Sequence, residues 1–176
     1  TAFFDMSTNS VDVVRKISAK FAEKNLYMLD APVSGGPGGA ASGKMAIWVG
    51  GDEQQFHRYQ SVLDAMGDQA RYIGAVGAGT IAKLVHNCTT AVVGVALAEV
   101  MTMGIKAGVE PVELWEAVRQ GARGRVRTFD ALADHFLANN YDPSKFSLKL
   151  AHKDVALASE LGRDVGVPMR ILALTQ

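Results

Sequence analysis

The sequence changes its periodicity at Gly77-Ala78-Gly79-Thr80-Ile81-Ala82-Lys83-Leu84-Val85-His86-Asn87. Before this stretch, short apolar runs typical of strands alternate with segments of helical spacing, which indicates an α/β layer with some parallel pairing. After it no convincing strand is visible, and one long helix is predicted from residue 80 to about 106. We therefore predict an α/β segment over residues 1–76 and an all-α domain over residues 77–176, with the junction near 74–79.

The first part of the chain contains the strand candidates. These are residues 2–5, 26–33, 45–49 and 70–73, and helix candidates begin near Val14 and Phe56. The glycine-rich stretch 34–43 is predicted to be a loop.

Glycine and proline mark the helix boundaries of the second part. In Ala107-Gly108-Val109-Glu110-Pro111, glycine suits a left-handed stop and proline suits the start of the next helix. Asp164-Val165-Gly166-Val167-Pro168 repeats this pattern, and further helices are predicted near 112–119, 129–139 and 148–161. The long helix is apolar on most sides through 91–98, which predicts a place inside a bundle or at an oligomer interface.

Composition excludes several classes of protein. Lys+Arg and Asp+Glu each number 18 among 176 residues, so no net charge attracts the chain to nucleic acid or a membrane surface. The uninterrupted apolar run 91–98 is too short to span a bilayer, and no metal site is expected from isolated histidines. Cys88 is the single cysteine and no leader pattern opens the chain, so we expect a cytoplasmic protein.

Lys83 and Asn87 form the first candidate site. They lie about 40° apart around a helix, so both side chains project from one face. An ammonium group suits proton transfer to or from an oxygen, and an amide beside it can orient that oxygen. A solvated lysine and a surface asparagine are the alternative, which the apolar neighbours Leu84, Val85 and Cys88 weaken.

The second candidate site is the turn Ser34-Gly35-Gly36. Consecutive N–H groups without side chains could form an anion-binding nest, whereas the same glycines could simply supply positive φ in a plain loop. The glycines in residues 74–79 have the wrong spacing for a dinucleotide fingerprint. We expect them to let the chain approach the sheet closely.

A third group lies in the predicted late helix. Asp154 falls on an apolar stripe, where a carboxylate needs a partner, so it is either in an ion pair or part of a site. Lys153 lies beside that stripe, within possible reach of a cofactor edge.

With these motifs the chain resembles the β-hydroxyacid dehydrogenases, which include 3-hydroxyisobutyrate dehydrogenase, tartronate semialdehyde reductase and, more distantly, 6-phosphogluconate dehydrogenase. The resemblance rests on Asp5-Met6-Ser7-Thr8, residues 30–36, residues 77–87 and Lys153-Asp154, in that order. It implies that residues 1–76 are the C-terminal part of a Rossmann-type cofactor domain and that 77–176 serve substrate binding and oligomerisation.

The resemblance also implies a role for each motif. Substrate contacts fall on Ser34, Gly35, Gly36 and Asn87, with the first three holding the carboxylate. The catalytic acid/base falls on Lys83, and contacts to a nicotinamide cofactor, NAD or NADP, fall on Thr8 and Lys153. The implied reaction is hydride transfer between the nicotinamide and the hydroxyl-bearing carbon of a short 3-hydroxy acid, in a homodimer or homotetramer.

Two departures from the family pattern shape further expectations. The first strand and its Gly-x-Gly-x-x-Gly turn are missing, so we expect a fragment that binds cofactor poorly and turns over little or nothing. Gly121-Ala122-Arg123-Gly124-Arg125 replaces smaller polar residues of an inter-helix loop. Arg123 or Arg125 could pair with a second acidic group on the substrate, and a solvated basic loop is the alternative.

Two other classes compete with the enzyme. In a non-catalytic carboxylate-binding module, Ser34 would matter for ligand binding without any cofactor oxidation. In a helical oligomerisation domain, the apolar helix would form a dimer core and Lys83 would be dispensable.

Overall fold

The computed structural model describes residues 1–121, 142, 149, 152, 163 and 166–176. The chain separates into two compact units, Thr1–Thr90 and Ala91–Gln176, which are described in turn. The domain boundary expected between residues 76 and 77 stays a prediction.

The first unit is built on a five-stranded mixed sheet. Its strands are β1 (Ala2–Asp5), β2 (Tyr27–Asp30), β3 (Val33–Ser34), β4 (Ala46–Gly50) and β5 (Gln69–Gly74). β1 pairs with β2 and β4 pairs with β5 in parallel, whereas β2 and β3 both pair with β4 in the antiparallel sense. The predicted strands and the parallel pairing are confirmed. The strand expected over 26–33 is divided in two, because Pro32 has no N–H with which to continue the ladder.

The described helices match the predicted ones with one exception. They are α1 (Val11–Ala22), α2 (Gly36–Ser42), α3 (Glu53–Asp64), α4 (Ala78–Lys106), α5 (Pro111–Gln120) and α6 (Arg170–Thr175). The helices predicted over 129–139 and 148–161 lie outside the described residues.

The exception is α2, since a loop was predicted over residues 34–43. Pro37 occupies the first turn of α2, where its missing N–H loses no helical bond. Gly43 ends the helix in the left-handed conformation, with φ 64°. The glycine count suggested a loop because glycine disfavours helix interiors, but the short connection between paired strands β3 and β4 outweighs that intrinsic preference.

One face of the sheet carries the hydrophobic core of the first unit. The core consists of Leu29, Ala31, Ile47, Val49, Phe56 and Leu63, with Phe56 and Leu63 supplied by α3. Ile47 and Val49 alternate with Ala46 and Trp48 along β4, so the latter two side chains point to the other face.

In the second unit, α5 begins where the glycine–proline pattern of residues 107–111 predicts. Gly108 has φ 99° and Gly166 has φ 72°, so both are in the left-handed region. Pro111 lies in the first turn of α5, and the Glu110 side chain accepts hydrogen bonds from the N–H groups of Val112 and Glu113.

Helix α4 is more apolar than the run 91–98 alone suggests. By length and composition it could cross a bilayer, with a mean hydropathy of 1.7 over an 18-residue window. Core helices of soluble proteins can have the same length and composition. The expected absence of a membrane partner therefore stays a prediction.

Candidate functional site

The sheet face opposite the core brings a hydroxyl and an indole together. Ser34 pairs directly with Ala46, and residues opposite each other in an antiparallel pair project to the same face. Trp48 lies two residues beyond Ala46 and therefore points the same way. Ser34 and Trp48 thus form a diagonal pair, and such neighbours are separated by about 7–8 Å, with their Cβ atoms somewhat closer.

A buried carboxylate at the end of β2 fixes the start of α4. Asp30 is 1% exposed, and its oxygens accept hydrogen bonds from the N–H of Gly77 at 2.8 Å and the N–H of Thr80 at 2.7 Å. The Thr80 hydroxyl donates a further bond, at 2.8 Å. The negative charge also suits the positive end of the helix dipole. No role was predicted for Asp30, although an acidic residue at the end of an apolar strand was a signal for one.

Glycines allow α4 to lie directly against the sheet. A Cβ at Gly79 would overlap the carbonyl oxygen of Trp48 and would lie 2.7 Å from that of Asp30. A Cβ at Gly50 would lie 2.6 Å from Oδ1 of Asp30 and 2.8 Å from the N of Gly79. The expectation that glycines in 74–79 permit close approach is thus confirmed for Gly79.

This contact orients the lysine of α4 toward the sheet. Thr80, Lys83 and Asn87 fall within about 60° of arc around the helix, and Thr80 is fully buried against the sheet. Lys83 is half-buried, and its Nζ lies 5.8 Å from the centroid of the Trp48 ring. The Lys83 ammonium therefore lies against an indole that projects from the same sheet face as Ser34.

His86 and Asn87 extend this group along α4. The His86 ring lies 5.2 Å from the Trp48 ring, centroid to centroid, with the planes inclined at 45°. His86 Nδ1 is 3.1 Å from Asn87 Oδ1. Since an amide oxygen only accepts, the Nδ1–H of His86 donates this bond. No role was predicted for His86, because its contact with a distant strand leaves no signal in the local sequence.

The Ser34-Gly35-Gly36 turn has the conformation expected of glycines. Gly35 has φ 145° and Gly36 has φ 59°, both unfavourable for other residues. Gly35 is the N-cap residue of α2, so the turn is the entry to a short helix. The binding of a carboxylate by Ser34, Gly35 and Gly36 stays a prediction.

The loop after β1 lies at the edge of the sheet where β2 ends at Asp30. Asp5 pairs with Asp30 in the parallel β1–β2 ladder, so residues 6–9 follow β1 at the edge where Asp30 ends β2. Thr8 is exposed there, and the adjacent Ser7 donates from its N–H and its hydroxyl to Asp5 Oδ1, at 3.0 and 2.6 Å. Arg15 of α1 donates from Nε to the carbonyl oxygen of Val76 at 3.4 Å, which ties α1 to the turn before α4.

The structure thus brings six of the predicted site residues into one unit. Ser34, Lys83 and Asn87 are placed around one sheet face, with Gly35 and Gly36 continuing from Ser34, and Thr8 lies at the adjoining edge. Arg123, Arg125, Lys153 and Asp154 lie outside the described residues. Within the described ranges, no group of three His, Cys, Asp or Glu side chains is placed to hold a metal ion.

Two family models match the chain. One, described as the NAD binding domain of 6-phosphogluconate dehydrogenase, matches residues 1–94. The other, described as NAD-binding of NADP-dependent 3-hydroxyisobutyrate dehydrogenase, matches residues 77–176. These matches confirm the predicted fold class and a nicotinamide cofactor, NAD or NADP.

Individual proteins match over nearly all of the chain. The 2-(hydroxymethyl)glutarate dehydrogenase of Eubacterium barkeri is 34% identical over 99% of this chain and 58% of its own length. The 3-hydroxyisobutyrate dehydrogenase of Pseudomonas aeruginosa is 34% identical over 88% of this chain and 53% of its own length. The solved structure of Mycobacterium tuberculosis 3-hydroxyisobutyrate dehydrogenase with L-serine is 33% identical, with a TM-score of 0.66, and matches 98% of this chain and 61% of that one. The chain therefore spans less than two thirds of each of these proteins.

Proposed function

Because the chain belongs to the β-hydroxyacid dehydrogenase family, we propose that the intact protein is an NAD(P)-dependent dehydrogenase of short 3-hydroxy acids. The observation that carries this proposal is that the Lys83 ammonium lies 5.8 Å from the centroid of the Trp48 ring, on the sheet face to which Ser34 also projects. A proton donor and an acid-binding turn are thus supplied by two different elements, α4 and β3, on the same side of the sheet.

Lys83 is the catalytic acid/base in this proposal. In oxidation its amine accepts the proton of the substrate hydroxyl, and in reduction its ammonium returns a proton to the carbonyl oxygen. Its attachment to α4 keeps it close to the sheet, because the first turn of that helix is fixed by Asp30. Asn87 donates from its amide to the same substrate oxygen.

The acid end of the substrate is held by the turn after β3. The Ser34 hydroxyl and the N–H groups of Gly35 and Gly36 donate to the carboxylate, and charge-assisted bonds of this kind are strong and directional. Holding the carboxylate in one place and the hydroxyl in another fixes which carbon reacts. Two matched proteins are named for hydroxy acids, and a third was solved with L-serine. Each of these compounds carries its hydroxyl on the carbon β to a carboxylate, which supports a 3-hydroxy acid as substrate.

The described residues fit the nicotinamide end of the cofactor. Thr8 and Ser7 place exposed hydroxyls in the loop after β1, at the carboxyl ends of parallel strands β1 and β2, where α/β sheets bind their ligands. Thr8 and, from the sequence, Lys153 would hold this end. When bound, the cofactor accepts or supplies the hydride. Arg123 is proposed, from the sequence alone, to pair with a second acidic group of a dicarboxylate substrate.

We also propose a cytoplasmic homodimer or homotetramer that binds neither nucleic acid nor membrane. Val92 and Val95, in the part of α4 within the second unit, are 58% and 54% exposed in the single chain. Apolar side chains in such a helix are typical of subunit interfaces. Light scattering of the intact protein tests the assembly, and a monomeric mass would overturn it.

The experiment that tests the enzymatic proposal compares substrates and a lysine variant in the intact protein. We expect NAD(P)H formation with 3-hydroxyisobutyrate, 2-(hydroxymethyl)glutarate or L-serine, and much less with the 2-hydroxy acid lactate. Lys83→Met should lower kcat by about 10²–10⁴-fold while the Kd for NAD(P)H changes little. Lys106→Met, in the last turn of the same helix, is the matched control.

The competing classes give different results. A carboxylate-binding module would bind the acids through Ser34 without reducing any cofactor. In an oligomerisation domain, Lys83→Met would leave assembly and every binding measurement unchanged. Equal losses of turnover and cofactor affinity in Lys83→Met would make Lys83 a structural residue.

A further inference from the structure

Trp48 is held by its backbone and contacts two side chains of α4. Its N–H donates to the carbonyl oxygen of Pro32 at 3.2 Å, and its own carbonyl oxygen lies against Gly79, where no Cβ could fit. Its ring faces Lys83 Nζ at 5.8 Å and the His86 ring at 5.2 Å. The ring is therefore a fixed platform for two residues spaced one helical turn apart.

Of the two residues, Lys83 is the one whose position such a platform restricts most. A lysine side chain has four rotatable bonds and a strongly hydrated ammonium, so by itself it samples many positions. An aromatic face attracts the ammonium and narrows that distribution. We propose that Trp48 is a positioning residue, which holds the Lys83 ammonium over the sheet face that carries Ser34; this inference rests on the proposed function.

The same ring acts on Asn87 through His86. Contact with Trp48 restricts the imidazole, whose Nδ1–H donates to Asn87 Oδ1 at 3.1 Å. This bond fixes the amide oxygen of Asn87 toward His86, so the amide NH₂ projects away from the imidazole, and that group can only donate. Trp48 thus helps to orient two groups toward the substrate oxygen, the NH₂ donor of Asn87 and the ammonium of Lys83.

The test measures kcat, the KM for the hydroxy acid and the Kd for NAD(P)H in the intact protein. Trp48→Met should lower kcat by about two- to fivefold, the rate equivalent of one cation–π contact, with KM and Kd changed by less than about twofold. Trp48→Phe retains a π face and should recover most of kcat. Trp115→Phe, at an exposed site in α5, should match the unsubstituted protein.

The outcomes separate this inference from the proposed function. An unchanged kcat in Trp48→Met, or an equal fall in Trp48→Phe, overturns the positioning role and leaves the proposed function standing. A parallel loss of kcat, cofactor affinity and folding stability in Trp48→Met also overturns it, because that is the result of lost packing alone. Lys83→Met with full turnover, measured alongside, overturns the proposed function itself.

Discussion

The Asp30 carboxylate accepts two hydrogen bonds from Thr80, one from its N–H at 2.7 Å and one from its hydroxyl at 2.8 Å. Both residues are almost fully buried, at 1% and 0% exposure. A buried carboxylate is tolerated only when hydrogen bonds replace its lost hydration. The pair therefore determines where α4 begins and which side of it faces the sheet.

Thr80→Val tests this relationship. The substitution keeps the shape of the side chain but removes the hydroxyl donor, so Asp30 loses one of its three hydrogen bonds. We expect the free energy of unfolding to fall by about 1.5–3 kcal/mol, the range for a bond to a charged group. Denaturant unfolding of the intact protein provides the measurement, with Thr80→Ser as a control that retains the hydroxyl. A Thr80→Val protein as stable as the unsubstituted protein would show that the hydroxyl bond contributes nothing.

Gly79→Ala tests the close approach of α4 to the sheet. The added Cβ would overlap the Trp48 carbonyl oxygen, so backbone must move, at a cost of about 1–3 kcal/mol or more. Gly38→Ala in α2 is the matched control, since a Cβ there meets nothing within 4 Å and alanine favours helix. Thermal unfolding should separate the two variants, and a Gly79→Ala protein as stable as Gly38→Ala would contradict the packing described.

Ser34→Ala tests the carboxylate contact. Removing one charge-assisted bond should raise the KM for the hydroxy acid by about tenfold or more, while the Kd for NAD(P)H stays near its original value. Ser42→Ala is the control, because the Ser42 hydroxyl donates to the backbone oxygen of Gly38 at 2.8 Å. Steady-state kinetics with varied acid give the result. A KM that rises equally in both variants would remove Ser34 from the site.

Glu99→Ala tests a capping contact in the second unit. The Glu99 carboxylate accepts from the N–H groups of Ile171 at 3.0 Å and Leu172 at 2.8 Å, at the start of α6. Losing this cap should destabilise the protein by about 1–2 kcal/mol. Glu116→Ala should have an effect within about 0.5 kcal/mol, because its ion pair with Arg119 is long, at 3.7 Å, and more than half exposed. A reversed order of the two effects in denaturant unfolding would argue against the α6 contact.

The sequence was sufficient for features that depend on local pattern. Residues 45–49 form an uninterrupted apolar run, and the strand they predicted is β4. The left-handed conformations at Gly108 and Gly166 follow from their own residue type. The family resemblance, carried by motifs such as residues 77–87, was likewise available from the sequence.

Features that depend on contacts between residues far apart in the chain could not be predicted from the sequence. Asp30 and Thr80 are separated by 50 positions, so nothing local showed that the carboxylate fixes α4. The meeting of Trp48 with Lys83 and His86 requires the close approach at Gly79. For α2, five glycines within 34–43 pointed to a loop, and the constraint of two paired strands produced a helix instead.

The most direct test of the central claim is a crystal structure of the intact protein with NAD(P)⁺ and a short 3-hydroxy acid. We predict that Lys83 Nζ lies within hydrogen-bond reach of the substrate hydroxyl, about 2.6–3.2 Å, and that the carboxylate accepts hydrogen bonds from Ser34 and the N–H groups of Gly35 and Gly36. An acid bound away from Lys83, or with its carboxylate turned from residues 34–36, would contradict it.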